Sequence, residues 1–138
     1  MIYSYELEKQ LLAGLLKDPA SLTEICNFIS VSDFYSDQSS LNSTIFRILE
    51  QAVNAGDDID EIIIAQRVNE VGLSFEDNLN PSDYIKSLAL RKVPKGNVIK
   101  TAKELKKYSI RREILASSEQ IARKMKKMPP EASYRDIV

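Results

Sequence analysis

Histidine is absent from the chain, cysteine occurs once and glycine four times. Without histidine, Ser-His and Cys-His nucleophile arrangements cannot be built. Cys26 alone can form no internal disulfide and, with no histidine to help it, no zinc site. A lone thiol fits a reducing compartment. Gly14, Gly56, Gly72 and Gly96 are scattered, and none belongs to the G-x-x-x-x-G-K-[ST] loop that cradles phosphate. No apolar run approaches the ~20 residues that span a bilayer. The opening Met-Ile-Tyr-Ser-Tyr-Glu lacks the basic start and apolar stretch of a signal peptide, so the expectation is a soluble, cytoplasmic protein without a membrane partner. No segment alternates polar and apolar residues over strand length, which points to an all-α chain.

What is present is enough apolar mass for a core, 43% of the residues, and a strong division of charge. The net charge of −1 conceals 15 acidic against 5 basic side chains in residues 1–90, a balance of −10. Residues 91–128 carry 13 basic and 3 acidic side chains, a balance of +10. An acidic body joined to a basic arm is the simplest reading, and each is suited to charged partners.

The periodicity predicts a compact bundle of about five short helices followed by one long helix. Leu7, Leu11 and Leu15, flanked by Leu12 and Leu16, mark the first helix over residues 5–17. Asp18-Pro19 is a cap followed by proline at the first helical position, and predicts a second helix burying Leu22, Ile25, Cys26 and Ile29. A third helix is expected from around Ser39 to Asn42, burying Leu41, Ile45, Ile48, Leu49, Ala52 and Val53 and ending at Gly56. Asp60 opens a fourth that Gly72 terminates, and Asn80-Pro81 opens a fifth that Val93-Pro94 stops. Cys26 reads as a small core residue. Phe34 and Tyr35 read as an aromatic pair sealing a joint, with an exposed docking pair as the alternative, and Gly14 as either tolerated or a point of close approach. The acids Asp57-Asp58 and Asp60-Glu61 read as solvated loop and cap residues. Residues 60–74 resemble the opening of a helix-turn-helix, but the following Phe75-Glu76-Asp77-Asn78 is acidic and would repel phosphate, which argues against that reading.

From Asn97 to about Lys127 the chain reads as one long helix whose apolar stripe changes face. At ~100° per residue, Val98, Ala102 and Leu105 lie together, whereas Ile110, Ile114, Ile121, Met125 and Met128 form a second group rotated roughly 140° from the first. Lys100, Lys103, Lys107 and Arg111 lie mostly opposite the first group; Arg123, Lys126 and Lys127 lie opposite the second. The early stripe is expected to pack on the acidic head and the late one on another body. Both sets of cations are candidates for contact with DNA phosphates or an acidic partner, with a solvated face as the plainer alternative. Pro129-Pro130 ends the helix, and Ser133 to Val138 reads as the first turn of another. The expected organisation is a helical head over residues 1–94, a basic helix over 95–128 forming the first arm of a hairpin, and over 129–138 a turn and a truncated second arm.

Several segments together resemble the N-terminal domain of DnaB-family replicative helicases. They are E-L-E-K-Q-L-L-A-G-L-L-K-D-P, the D-F-Y at Asp33 to Tyr35, I-F-R-I-L-E running on to Gly56, D-D-I-D-E-I-I-I-A-Q-R-V-N-E-V-G and P-S-D-Y-I-K-S-L-A. The stretch V-P-K-G-N-V-I-K-T-A-K-E-L-K-K-Y-S-I-R-R-E-I is similar to the family's V-P-x-x-x-N-V-x-x-Y-A-x-x-L-x-x-x-x-x-R-R-x-L, with Thr101 where an aromatic is usual. The resemblance covers residues 5–127 and implies a non-catalytic head plus helical hairpin. Its parent would be an ATP-dependent 5′→3′ DNA helicase whose ATP and magnesium sites lie in a separate C-terminal domain. It implies self-association through hairpin pairs, as a dimer and then a trimer of dimers in a hexamer. Further expected partners are primase, a helicase loader and single-stranded DNA threaded through the parent ring. The cell would be bacterial or phage-infected. Ile110, Ile114, Ile121, Met125 and Met128 would then be the hairpin and dimer seam. The competing readings are a stand-alone replication adaptor and a basic single-strand-binding module without a motor.

Overall fold

The computed structural model describes residues 2–35, 41–72, 80–94 and 96–137. Among them every regular element is helical: α1 (Tyr5–Lys17), α2 (Leu22–Ile25), α3 (Leu41–Asn54), α4 (Glu61–Val71), α5 (Pro81–Leu90), α6 (Val98–Lys127) and α7 (Tyr134–Ile137). Short 3-10 turns lie at Pro19–Ser21 and Val31–Asp33.

Helix ends follow local chemistry. The Ser4 hydroxyl accepts the Leu7 N–H at 3.2 Å, Asp60 accepts the Ile62 N–H at 2.7 Å, and Asn80 accepts the Ser82 N–H at 2.9 Å. Each satisfies a donor that the first helical turn leaves open. At the other ends, Gly56 and Gly72 take φ of +73° and +72°, the left-handed geometry that lets the chain turn out of α3 and α4. The Asp57 N–H reaches back to the Ala52 carbonyl at 2.8 Å, so the α3 terminus is closed by its own backbone.

The second helix is shorter than its sequence suggests. A 3-10 turn leads into a single turn of α2, and the chain has left helical geometry before Ile29. The cause lies just downstream. Ser30 is extended and forms a capping box with Asp33, whose carboxylate takes the Ser30 N–H at 2.7 Å. That local bond competes with continued helix and wins over so short a run. Ile25 and Ile29 are nonetheless buried, as their apolar spacing requires. Cys26 sits at the edge of the core, half-buried, with its thiol 3.7 Å from a Glu50 carboxylate oxygen. Ser39 and Ser40, and Phe75 to Asn78, lie outside the described residues.

The core of the head is built around Leu11, Leu12, Leu15, Leu22, Ile25, Leu41, Ile45, Phe46, Leu49, Ile64, Val68, Ile85 and Leu88. Phe34 packs on Phe46 with ring centroids 5.0 Å apart, so half of the aromatic pair does seal the joint. Tyr35 is half-buried and stacks on Tyr3 at 4.3 Å. Arg91 closes the end of α5 onto α1 through Glu6 at 2.9 Å and Gln10 at 3.3 Å.

Beneath this surface Glu8 is fully buried on α1. Its carboxylate accepts the Tyr35 N–H and the Asn42 amide, each at 2.9 Å, and Asn42 in turn accepts the Tyr84 hydroxyl. One acid thereby joins α1, the D-F-Y joint, α3 and α5. Burial raises the Glu8 pKa above the ordinary carboxylate range, partly offset by those two donors and by Arg112. Burial likewise pushes the Tyr84 phenol up to about 12.

Candidate assembly interface

The first half of α6 lies along α1 with Val98, Thr101, Ala102 and Leu105 buried. Gly14 makes room for it. A β-carbon built on Gly14 would stand 2.8 Å from the Val98 Cγ2, so the close neighbour is a side chain and not a second backbone.

One turn beyond Leu105 the contact changes from apolar to polar. Asp33, buried at the end of its 3-10 turn, receives the Ser109 hydroxyl at 2.6 Å and the Lys106 ammonium at 3.0 Å on one oxygen. Its other oxygen holds the Ser30 N–H. Burial alone would raise this carboxyl, but the Ser109 hydroxyl, the Ser30 amide and the Lys106 charge outweigh it and hold the pKa below the usual aspartate range. Arg112 completes the root. One of its terminal nitrogens donates to the Ile2 carbonyl at 2.9 Å, the other to the Asp33 carbonyl at 2.8 Å, and its guanidinium lies 5.6 Å from the Tyr35 ring centroid.

Past Arg112 every residue from Glu113 to Lys127 is exposed. Of the expected seam residues, Ile110 is 43% exposed, Ile114 61%, Ile121 60% and Met125 39%. Met128 caps the helix and is half-buried. Leu115, exposed as well, was not part of the sequence-derived set, because it falls off the stripe by more than a quarter turn. The stripe is therefore an apolar line on a cantilevered helix, with no partner among the described residues.

The candidate cations separate by position. Lys100, Lys103, Lys107 and Arg111 are exposed beside the head. Lys107 pairs with Glu104 at 2.9 Å, and Arg111 lies over the Tyr108 ring at 5.9 Å. Arg123, Lys126 and Lys127, joined by Lys124, are exposed at the far end and form no ion pair among the described residues. There the negative end of the helix dipole also favours them. The two groups are not brought together. Sequence reasoning missed Lys106, Ser109 and Arg112. The signal was present in that Ser109 continues the line of Val98, Ala102 and Leu105, with a cation on each flank.

Among the described residues no cluster of carboxylates and cysteine is placed to hold a metal ion, and no helix is long and apolar enough to cross a membrane. Burial, then repulsion by Glu50, raises the Cys26 thiol to about 11, against the thiolate that a nucleophile needs.

A helical head carrying a projecting, cationic helical arm defines the class: an all-α head-and-arm domain. Residues 1–107 match the sequence model of the DnaB-like helicase N terminal domain, and the chain belongs to that family. No curated protein sequence matches it. Among solved structures it resembles the N-terminal domain of DnaB helicase from Mycobacterium tuberculosis, with a TM-score of 0.82 at 13% identity over 99% of this chain and 91% of that one. It also resembles the N-terminal domain of DnaB helicase from Helicobacter pylori, a structure described together with its interactions with primase. There the TM-score is 0.68 at 21% identity, over 86% of this chain and 89% of that one. At these identities the likenesses show the fold. The family match ends at Lys107, before Ser109, Arg112 and the apolar stripe.

Proposed function

We propose that the domain is a non-catalytic assembly and docking unit of a hexameric replicative DNA helicase. Its arm pairs copies into dimers that build a ring collar, and its head or collar recruits primase or a helicase loader. The observation that carries this reading is the exposed stripe of Ile110, Ile114, Ile121 and Met125 along the outer part of α6. Large apolar side chains aligned on an exposed face mark a surface that another chain covers. The Helicobacter relative's described interactions with primase make primase the first partner to test. In this reading residues 1–94 are the head, 95–128 the first arm of a hairpin, and 129–138 the turn into a second. ATP and magnesium act in a separate motor domain of the parent chain, single-stranded DNA passes through the parent ring, and the setting is the cytoplasm. Replacing Ile114 and Ile121 by Asp together should weaken self-association at least about 100-fold, as two buried charges each cost several kcal/mol. The head's melting temperature should hold. Analytical ultracentrifugation showing an unchanged oligomer, or a wild type that is monomeric throughout, would overturn the seam.

A second reading draws on the cations at the arm's far end. Arg123, Lys124, Lys126 and Lys127 lack acidic partners among the described residues, and Arg123, Lys126 and Lys127 lie on the side away from the stripe, with Lys124 at its edge. Phosphate contact by these groups would show as oligonucleotide binding that falls steeply with salt. Flat or absent binding at low salt removes this reading.

A further inference from the structure

The arm's direction is fixed at one place, and that place is polar. Val98, Ala102 and Leu105 seat the first two turns of α6, and beyond them the last contacts with the head among the described residues run through Lys106, Ser109 and Arg112. All of these meet the Asp33–Tyr35 joint, and Arg112 also pins the chain entry at Ile2. Tyr3 stacked on Tyr35 buttresses the same spot from outside. We propose that Asp33 is the positioning residue of the arm: its carboxylate, gripped by Ser109 and Lys106 on α6 and by Ser30 on its own turn, clasps the helix at the last point before it leaves the head.

The assembly reading gives this clasp its purpose, because a seam presented at the wrong angle cannot close a ring. The mechanical argument stands without it. From Leu105 to Lys127 the helix runs about 33 Å at 1.5 Å per residue, so a swing of roughly 10° about Leu105 moves the tip by about 6 Å. An apolar seat tolerates small sliding, since dispersion and burial are not directional. Hydrogen bonds to a buried carboxylate tolerate far less, since they weaken steeply with angle. The carboxylate also explains why the contact holds one orientation. One oxygen takes Ser109 and Lys106, the other takes the Ser30 N–H and a second, longer contact from Lys106 at 3.3 Å, so a shift of the helix pulls donors away from a buried charge that its own turn holds in place.

The test measures arm direction and not stability. Spin labels at Gln51→Cys on the head and Lys126→Cys on the arm, in a Cys26→Ser background diluted with unlabelled protein, report one head-to-tip distance distribution. With the clasp intact it should be narrow. In Lys106→Gln/Ser109→Ala, which leaves Asp33 its cap on Ser30, the width should increase about twofold, in line with the lever just described. Asp33→Asn should widen it less, since the amide oxygen still accepts from Ser109. A role confined to head stability would lower the melting temperature and leave the width unchanged in both variants, and that result would overturn the proposal. Sedimentation of the same unlabelled proteins separates the two questions. A wild type that never self-associates defeats the seam, while the width comparison still decides the clasp.

Discussion

Helix α1 and the outer half of α6 carry similar apolar residues at similar spacing and meet opposite fates. Leu11, Leu12 and Leu15 are sealed from solvent by α3, α5 and the root of α6, whereas Ile114 and Ile121 stand about 60% exposed. The charge runs the other way. The head is acidic and yet buries two carboxylates, Glu8 and Asp33, each surrounded by donors. The arm is cationic and keeps most of its charges in water. The same helical periodicity thus specifies a self-contained core in one region and an unfinished one in the other. What separates them is whether neighbouring chain returns to cover the stripe.

The largest expected effect breaks this comparison directly. Phe46→Ala in the head should cost about 3–5 kcal/mol, since a fully buried aromatic leaves both lost burial and a cavity. Ile121→Ala on the arm removes comparable apolar surface, but at concentrations too low for self-association it should change stability by less than about 0.5 kcal/mol. Thermal or urea unfolding of dilute protein checks both. Equal losses would mean that the arm is covered by its own chain, and the contrast between the regions would fall.

A smaller effect sharpens the account of the head's buried charge. Glu8→Gln keeps shape but turns one acceptor into a donor, which then faces either the Tyr35 N–H or the Asn42 amide. The expected loss is about 1–3 kcal/mol at neutral pH, the cost of leaving a buried polar group unmatched. The pH dependence carries a sign. Because burial raises the folded-state pKa of Glu8, its contribution favours folding below the unfolded pKa and is lost as pH rises through the folded one. Asp33 is lowered, so its contribution is present above the unfolded pKa and lost as pH falls through the folded one. Replacing Glu8 should therefore remove the component that weakens as pH rises from the unfolded to the folded pKa of Glu8 and leave the acid-side loss due to Asp33. Urea titrations from pH 3 to pH 7 would show it, and an unchanged slope in Glu8→Gln would deny Glu8 its role.

Much of the fold was legible because its determinants are local. Asp60 and Gly72 bracket α4, Asn80-Pro81 opens α5, and the rotation of the apolar stripe announced that α6 leaves the head. The early termination of α2 was hidden in a competition. Ser30 and Asp33 trade hydrogen bonds that draw the chain out of the helix, and no periodicity reports which bond wins. The clasp was hidden for a different reason. Asp33 and Lys106 are 73 positions apart, and an aspartate in a D-F-Y joint looks like any other cap until tertiary packing brings α6 against it. Glu8 was hidden in the same way, its partners lying 27 and 34 positions away. Ile110, Ile114, Ile121 and Met125 were legible as a stripe because an uncovered face needs no long-range partner to be seen.

The finest test concerns the line where head and arm meet. Gly14 lies in the middle of α1, where alanine would ordinarily stabilise a helix by about 1 kcal/mol. Here the added methyl would stand 2.8 Å from the Val98 Cγ2, with the Val93 Cγ1 at 3.5 Å. Valine is stiff about χ1 and Val98 begins α6, so relief comes by moving the helix and not by turning a side chain. Overpacking of this kind costs about 1–3 kcal/mol. The two effects leave a net loss near 1 kcal/mol, a fall in melting temperature of a few degrees. Val98→Ala should restore Gly14→Ala by emptying the space the new methyl needs, so that the double variant is more stable than the sum of the single changes predicts. A double-mutant cycle showing simple additivity would place the clash elsewhere and separate the seating of the arm from Gly14.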